Sequence, residues 1–370
     1  MSPKGFCAII AFMKTRILKF NGENPDTTII REAAAILREG GLVAFPTETV
    51  YGLGGDGLRA EASAKIYAAK GRPSDNPLIL HIADQEQLTG LVRSVPEGAR
   101  RLMEAFWPGP LTLIFEKSDA VPYETTGGLD TVAVRMPSHK GARALIRAAG
   151  VPVAAPSANL SGQPSPTGGE HVIRDLEGRV EMILDGGDVP LGLESTIVDV
   201  TGDTPVILRP GYVTLEQIRT LLGAGEMDPA ILEKPSEEMR PKAPGMKYRH
   251  YAPQAEMVIV EGDRAEVIRQ IEELAGGKIR EGKRVGILCA QESRGNYHAA
   301  PCKTVGTRAE EASIARNLYR CLREFDEEQT EFIYSEAFSE GTLGTAIMNR
   351  LVKAAGYRII RAGGQSGKIQ

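Results

Sequence analysis

The stretch from Asp228 to Pro253 constrains the fold of this chain most strongly. It reads DPAILEKPSEEMRPKAPGMKYRHYAP, is rich in proline and charge, and shows no sustained helical or strand period. Because proline lacks a backbone donor and disrupts helix interiors and central strands, such a segment is typical of a linker. We therefore expect a larger domain over residues 25–215, a linker over residues 228–253 and a smaller domain over residues 254–370. A length of 370 residues is consistent with two domains.

The region before this linker combines helical patterns with many short apolar runs. Residues 28–40 place apolar side chains at helical spacing and end in two glycines, and similar patterns cover residues 59–71 and 97–107. The strand candidates read LVAFPTETVYGL, NPLILHIA, LTLIFE, TVAVRMP, VPVAAPSAN, MILDGG, STIVDV and PVILRPG. Few helices separate the later runs, so the pattern predicts a mixed, strand-rich α/β sheet rather than a regular βαβ repeat.

In the region after the linker, strand candidates alternate with helical patterns. Three helical patterns separate five short strand candidates, which read EMVIVE, RVGILCA, KTVGT, FIYSEAF and YRIIRAG. In one helical pattern Ile314, Leu318, Leu322 and Phe325 lie on one face. This alternation predicts a small, parallel, Rossmann-like α/β sandwich.

Composition limits the classes of function and the compartment. Lys and Arg total 44 against 48 Asp and Glu, a formal net charge of −4, so bulk charge does not favour nucleic-acid binding. The four cysteines show no C-x-x-C spacing, which favours a reducing cytosol without a metal knuckle or a disulfide framework. The apolar run FCAIIAFM is too short to span a membrane, and we expect Met13 to be the true start. We therefore expect a cytoplasmic protein with no membrane partner.

The run GLGGDG, residues 52–57, matches the G-x-G-x-x-G pattern of dinucleotide-binding folds and precedes a helical pattern. That fingerprint needs its first glycine in a tight turn at the end of a strand. Here PTETVY separates the apolar run LVAF from Gly52, which makes the match weak.

Polar side chains recur two residues apart beside the apolar runs. The pairs are Thr47 with Thr49 and Ser157 with Asn159, and a longer set comprises Lys70, Arg72, Ser74 and Asn76. In an extended chain each set would point to one side, and cations with neutral donors are what phosphate recognition requires. A solvated turn before the run NPLILHIA is the alternative for the longer set.

These residues together predict a polar cleft. Ser195 and Arg209 flank further apolar runs, and Arg72, Arg135 and Arg209 could reach anionic oxygens there. The sequence offers no Ser-His-Asp, reactive Cys or HExxH arrangement for covalent or zinc chemistry. From the residues alone, His81 on its apolar run reads as core packing.

Seven motifs in order carry a family resemblance: FPTETVYGLGGD, KGRPSDNPLILHI, WPGPLTLIF, VAVRMP, PSANLSG, LESTIVD and ILRPG. The chain resembles the threonylcarbamoyl-AMP synthase family of the YrdC/Sua5 type. The later APGMKYRHYAP followed by a small α/β domain is similar to the longer, Sua5-type members, which often have serine where this chain has Ala243. The resemblance covers roughly residues 25–370. It implies a YrdC-like twisted open sheet, joined by a long linker to the C-terminal domain.

The resemblance also implies an activity and a set of site residues. The activity is ATP-dependent condensation of L-threonine and bicarbonate to threonylcarbamoyl-adenylate, with Mg²⁺ accompanying ATP and pyrophosphate released. The product would serve a downstream tRNA threonylcarbamoyl transferase complex acting on adenosine 37 of ANN-decoding tRNAs; whether this chain binds tRNA itself stays open. The threonine-binding positions are Thr49, His81, Arg135, Ala155 and Ser195. The ATP-binding positions are Lys70, Arg72, Asn76, Thr131, Ser157, Ser165, Arg209 and Tyr251, the last within a lid formed by PGMKYRHY.

Two other functions remain as alternatives. The first is an RNA-binding or ribosome-associated module, which the acidic balance and the lack of interleaved aromatic and basic residues disfavour. The second is a carbamoyl-adenylate enzyme with another acceptor, as in hydrogenase maturation, but the acylphosphatase-like and zinc-finger segments of those relatives are missing from this sequence.

Overall fold

The computed structural model describes residues 13–231, 241–244, 246 and 251–363. The strands in this part of the chain are β1 (Arg16–Lys19), β2 (Val43–Phe45), β3 (Gly52–Asp56), β4 (Ile79–His81), β5 (Leu111–Glu116), β6 (Thr131–Arg135), β7 (Val153–Ala154), β8 (Met182–Asp185), β9 (Thr196–Asp199), β10 (Val206–Arg209), β11 (Glu226–Met227), β12 (Glu256–Glu261), β13 (Val285–Cys289), β14 (Cys302–Thr304), β15 (Phe332–Glu336) and β16 (Ile359–Arg361). The helices are α1 (Thr27–Arg38), α2 (Ala60–Lys70), α3 (Glu97–Phe106), α4 (Tyr123–Thr126), α5 (Lys140–Ala149), α6 (Gly169–Leu176), α7 (Leu215–Leu222), α8 (Arg264–Arg280), α9 (Glu311–Glu327) and α10 (Gly344–Ala354).

Residues 16–227, here called the N-terminal unit, form one mixed sheet. Among the described residues its strand order is β1-β8-β2-β3-β7-β4-β6-β5-β9-β10-β11. Strands β4 and β6 are parallel, whereas β2 with β3 and β5 with β6 are antiparallel. The prediction of a mixed, strand-rich α/β sheet is confirmed.

The three helices predicted for this unit correspond to α1, α2 and α3, and each begins and ends close to its predicted bounds. Asp26 caps α1 by accepting hydrogen bonds from the backbone N–H groups of Thr28 and Ile29. Helix α2 ends at Gly71, whose φ of 61° lies in the left-handed region that glycine adopts without a steric penalty.

Gly71 also corrects the prediction for the run KGRPSDN. An extended chain would have placed Lys70, Arg72, Ser74 and Asn76 on one face, but Lys70 is the last residue of α2 and β4 begins only at Ile79. The left-handed residue turns the chain between them, so these side chains do not form a row.

The run LVAFPTETVYGL forms two strands rather than one. The chain leaves β2, turns through residues 46–51 and returns as antiparallel β3, which contains the glycines of GLGGDG. A Cβ at Gly54 would lie 2.7 Å from Cε1 of Phe45, so this glycine permits close packing against β2. The dinucleotide-binding alternative is therefore wrong, because these glycines form no phosphate-binding turn.

Residues 256–361, here called the C-terminal unit, form a separate sheet. In the described residues its order is β14-β13-β15-β12-β16, and every pairing is parallel. Helix α8 covers one face, and α9 and α10 cover the other, where Ile314, Leu318, Leu322 and Phe325 are buried together. The prediction of a small parallel α/β sandwich is confirmed.

One of the buried ion pairs between the two units joins Arg323 and Asp175. Arg323 of α9 donates to both carboxylate oxygens of Asp175 of α6, at 3.1 and 2.8 Å, and also to the carbonyl oxygen of Pro164. Both side chains are at most 3% exposed. Because the geometry is bidentate and the carbonyl accepts a further N–H, the pair satisfies charges that would be costly to bury alone.

Much of the predicted linker lies outside the described residues, including Tyr248, Lys247 and Arg249 of the expected lid. No helix within the described ranges has the length and apolarity needed to cross a membrane.

Replacing Arg323 tests the contact between the units. Arg323→Met should lower the free energy of unfolding by about 3–5 kcal/mol, because it leaves the Asp175 carboxylate buried without a partner. Urea denaturation followed by circular dichroism measures this change.

Arg320→Met on the same helix is the matched control. Arg320 is 43% exposed, so we expect a loss below about 1 kcal/mol. In the double variant Arg323→Met with Asp175→Asn, part of the stability should return. Equal losses for Arg320→Met and Arg323→Met would show that the buried pair is not what joins the units.

Candidate active site

A narrow crevice opens in the N-terminal unit where several strands end. It has a volume of about 50 Å³. The carboxyl ends of β4, β6 and β10 meet there with the turn after β2, the segment after β7 and the residues before β9. Its lining residues are Thr47, Thr49, Val50, Tyr51, Gly52, Arg72, Ile79, His81, Arg135, Ala155, Pro156, Ser157, Glu194, Ser195, Arg209, Pro244 and Tyr251.

Strand register explains why His81 and Arg135 face this crevice. They are partners on parallel strands β4 and β6, each as the last residue of its strand. Side chains alternate along a strand, so Ile79 and His81 face the crevice while Leu80 enters the core on the other face.

Arg135 organises one wall of the crevice. Its guanidinium donates to Oε1 of Glu48 at 2.6 Å, to Oγ1 of Thr49 at 2.9 Å and to the carbonyl oxygen of Gly109 at 3.3 Å. Oγ1 of Thr49 also lies 2.9 Å from Oγ1 of Thr47. The two threonines therefore lie together as the sequence suggested, although they occupy a turn and not a strand.

Glu48 is the carboxylate that balances Arg135. Burial alone would raise the pKa of Glu48, but the charge of Arg135 and its hydrogen bond hold that pKa below the ordinary value. Oε2 of Glu48 is buried and has no hydrogen-bond partner among the described residues. Because the opposite charges compensate, the wall can hold a polar ligand without a large net charge of its own.

His81 is uncharged at neutral pH. Burial, reinforced by the charge of Arg135, lowers the pKa of His81 to about 3. Its Nδ1 lies 3.2 Å from the carbonyl oxygen of Ile79. A neutral imidazole suits a hydroxyl group or an amine as a hydrogen-bond partner.

Arg72 and Arg209 are two further guanidinium groups that line the crevice. Arg72 donates to the carbonyl oxygens of Asn76 and Pro77, and Arg209 donates to the carbonyl oxygen and Oγ of Ser195. In the described residues neither has an ion pair within 4 Å, and Nε of Arg72 is buried without a hydrogen-bond partner. Burial lowers the pKa of Arg72 to about 10, which still leaves the group charged at neutral pH.

Four of the predicted ATP-binding residues are not in the crevice lining within the described ranges: Lys70, Asn76, Thr131 and Ser165. Nζ of Lys70 donates to the carbonyl oxygens of Ser157 and Asn159 at 2.5 and 2.6 Å, so this residue fixes the segment that carries Ser157. Burial lowers the pKa of Lys70 well below its ordinary value. Thr131 begins β6, at the opposite end of that strand from Arg135.

Ser165 reaches the crevice only indirectly, through its hydrogen bond to Glu194. Glu194 is also a centre of contacts between the two units. Glu194 accepts hydrogen bonds from Oγ of Ser165, the hydroxyl of Tyr319 at 3.0 Å and Nε of Arg350 at 2.9 Å. Burial would raise the pKa of Glu194, but Arg350 and Arg209 hold it below the ordinary value. The C-terminal unit therefore supplies part of the crevice's surroundings.

Tyr251 closes the crevice from the linker side. Its ring stacks on Tyr319, with centroids 5.4 Å apart, and the Arg350 guanidinium lies 5.8 Å from its centroid. Its φ of 62° is unusual for a residue other than glycine. Such a conformation persists only when its surroundings hold it, so the tyrosine is fixed by contacts with the C-terminal unit.

Comparison with known proteins places this geometry in a family. A Sua5/YciO/YrdC model described as telomere recombination matches residues 35–211, and the model of the threonylcarbamoyl-AMP synthase C-terminal domain matches residues 213–356. The threonylcarbamoyl-AMP synthase of Pyrococcus abyssi is 52% identical, over 90% of this chain and 95% of that protein. The chain belongs to the threonylcarbamoyl-AMP synthase family. It is an enzyme of the nucleotidyltransferase type.

Further relatives of this synthase family agree. The Bacillus subtilis threonylcarbamoyl-AMP synthase is 51% identical over 90% of this chain and 94% of that protein. The crystal structure of P. abyssi Sua5 complexed with L-threonine superposes with a TM-score of 0.89, at 50% identity, covering 94% of this chain and all of that one.

The sequence analysis did not identify every residue of this site. Glu48 and Glu194 stand beside the predicted Thr49 and Ser195, and their charge among polar neighbours was an available signal. The partner of Glu194 could not be found in this way, because Arg350 follows 156 residues later in an amphipathic helix.

The low pKa of His81 predicts a pH dependence of stability. The unfolded chain takes up a proton near the ordinary pKa of 6.5, whereas folded His81 does not until about 3. Its stabilising contribution is therefore complete above pH 6.5 and is lost as the pH falls from 6.5 towards 3. Between pH 7.5 and 5.0, His81→Gln should lose about 2 kcal/mol less unfolding free energy than the wild type.

Urea denaturation at the two pH values measures this difference. His298→Gln, at an exposed position, should keep the wild-type pH dependence. An identical loss of stability in His81→Gln and the wild type would mean that His81 is already charged in the folded protein.

Proposed function

We propose that this chain condenses L-threonine, bicarbonate and ATP to L-threonylcarbamoyl-adenylate and releases pyrophosphate. The names of its relatives and the L-threonine complex of P. abyssi Sua5 support this proposal. The observation that carries it is the pair Arg72 and Arg209, two guanidiniums that line one crevice and have no ion pair within 4 Å among the described residues. Cations buried in this way are best compensated by a ligand with several anionic oxygens.

The chemistry needs positioned charge and no protein nucleophile. The threonine amine adds to bicarbonate with loss of water, which gives a carbamate. A carbamate oxygen then bonds to the α-phosphorus of ATP, and the bond from that phosphorus to the bridging oxygen of pyrophosphate breaks. Arg72 and Arg209 would stabilise the charge on the phosphate oxygens throughout this displacement.

The two walls suggest how the substrates lie. Thr49, Arg135 and neutral His81 form the polar, nearly charge-balanced wall that suits the amino acid, with Ala155 and Ser195 beside it. Arg72, Ser157 and Arg209 would face the nucleotide, while Lys70 and Ser165 would act indirectly, by holding Ser157 and Glu194. Asn76 and Thr131 stay proposed nucleotide contacts. Neither residue belongs to the crevice lining.

Mg²⁺ would arrive with the nucleotide. Within the described residues no cluster of three His, Cys, Asp or Glu side chains could hold a metal ion. Mg²⁺ commonly binds substrate phosphates and keeps several waters, so this donor set fits a metal carried by ATP.

The crevice must open to admit ATP. Its volume of about 50 Å³ is far below the roughly 300–1,000 Å³ of small-molecule sites. Pro244 and Tyr251 belong to the linker and line the crevice, so we propose that the linker is a lid that lifts for the nucleotide and then excludes water from the carbamate.

The product would supply the threonylcarbamoyl group for adenosine 37 of ANN-decoding tRNAs, through a downstream transferase complex. The mixed anhydride is reactive towards water, so rapid transfer would be required. We propose a cytoplasmic setting for this sequence of reactions.

Pyrophosphate release tests the reaction itself. Release from ATP should require L-threonine and bicarbonate together, because the carbamate is the group that displaces pyrophosphate. A coupled pyrophosphate assay with each of the twenty amino acids, with and without bicarbonate in degassed buffer, measures this. Release that is indifferent to bicarbonate would sink the proposal, as would release with every amino acid.

Arg72 tests the nucleotide wall. Arg72→Gln should raise KM for ATP roughly 10- to 100-fold, because charge-assisted hydrogen bonds are worth about 1.5–3 kcal/mol each. Threonine binding, measured by calorimetry without nucleotide, should change less than about threefold. The control is Arg59→Gln, at an exposed arginine before α2, which should behave as the wild type. Equal losses of both affinities would assign Arg72 a structural role.

A further inference from the structure

The C-terminal unit contains a second cavity, of about 280 Å³, at the carboxyl ends of β12 and β15. Its polar wall comprises Glu261, Arg264, Arg308, Glu336, Ser339 and Glu340. None of these residues lines the catalytic crevice. We call it the switch-point cavity, because the chain connections on its two sides diverge.

The connections that follow β12 and β15 leave a gap at this edge of the sheet. Strands β12 and β15 are neighbours, but the chain leaves β12 into α8 and leaves β15 into α10. Val267 of α8 packs on one face of the sheet, and Ile347 of α10 packs on the other. Because the two connections diverge, no loop fills the space between them, and open α/β sheets bind ligands at such positions.

The floor of the cavity is rigid and polar. Glu336 is 1% exposed and accepts hydrogen bonds from the hydroxyl of Tyr297 at 2.9 Å, the backbone N–H of Ala290 at 3.2 Å and Nη2 of Arg308 at 2.8 Å. Arg308 also donates to the carbonyl oxygen of Ala337. Its Nε is buried and has no partner within the described residues. Arg308 also lines the cavity, so its guanidinium places a positive charge beside a ligand there.

At the mouth of the cavity, one cation and one anion have no ion-pair partner among the described residues. Glu261 is paired with Arg361, as Glu336 is with Arg308. Arg264 donates only to Oγ of Ser293 and the carbonyl oxygen of Glu292, and has no ion pair in the described ranges. Glu340 likewise has neither an ion pair nor a hydrogen bond with its side chain among those residues. A ligand that satisfies both must itself carry a cation and an anion.

The start of α8 disfavours a phosphorylated ligand. Asp263 caps this helix by accepting the backbone N–H of Ala265 at 3.0 Å. Its carboxylate therefore occupies the helix end where a phosphate would bind and repels a further anion.

We propose that the switch-point cavity binds a free α-amino acid. The ligand's ammonium group would pair with Glu340, and its carboxylate would bind Arg264 and lie near the positive charge of Arg308. A volume just below the usual range of small-molecule sites suits a ligand of this size. The assignment is independent of the proposed reaction, since it concerns residues of the C-terminal unit alone.

Hydrogen–deuterium exchange of the full chain tests the assignment. Each of the twenty amino acids is added at millimolar concentration, and inorganic phosphate and ATP form separate arms. At least one amino acid should slow exchange at residues 260–267 and 336–342, and phosphate should not. Binding in the catalytic crevice can be distinguished from binding in the switch-point cavity, because it would slow exchange at residues 47–52 and 155–159 instead.

A double variant locates the binding groups. Arg264→Gln with Glu340→Gln, both exposed and therefore tolerant of substitution, should weaken this protection at least tenfold. Arg269→Gln, a surface residue of α8 paired with Glu266, should leave it unchanged. The assignment is overturned if no amino acid protects the two segments, if protection survives in the double variant, or if phosphate or ATP protects them instead. Pyrophosphate release in the double variant should stay at the wild-type level.

Discussion

The buried carboxylate of Glu194 is the point on which the crevice and the contact between the units both depend. Arg350 neutralises it and also donates to the carbonyl oxygens of Glu194 and Pro210. Those carbonyls flank Ser195 and Arg209, two residues of the crevice, so one side chain of the C-terminal unit fixes both segments. Losing one partner of such a pair usually costs about 3–5 kcal/mol. The C-terminal unit is in this sense part of the site's framework.

Much of the fold could be predicted because its signals are local. Glycine stops, helical spacing and short β-branched runs depend on near neighbours, and the helices α1, α2 and α3 begin and end close to their predicted positions. The error at KGRPSDN arose because alternation was taken as extended chain. A left-handed Gly71 turns the chain there. The glycine at the end of the helical pattern over residues 59–71 was the signal for that turn, and it conflicts with an extended chain that begins at Lys70.

The site was less predictable, because its members come from distant strand ends. His81 and Arg135 could be named through the family resemblance, but only the parallel register of β4 and β6 brings them side by side. The family resemblance also named Lys70, whose contact with ATP stays a prediction. In the structure, the N–H groups of its side chain donate to two carbonyl oxygens of the segment 157–159, which the sequence did not indicate. Sequence supplies the residue type, while the direction of the side chain depends on tertiary packing.

Local charge explains how a chain with a net charge of −4 could hold the anionic substrate that we propose. Arg209 and Arg350 lie close to one buried carboxylate, Glu194, and Arg72 adds a further guanidinium to the crevice lining, so the region carries an excess of positive charge. Lys353 of α10 reports that excess. Burial, followed by the charges of Arg350 and Arg209, lowers the pKa of Lys353 to about 7. Burial is the larger cause of this shift, and the neighbouring positive charges add to it. The same charges favour a polyphosphate, and because Arg350 comes from the C-terminal unit, both units build this positive region.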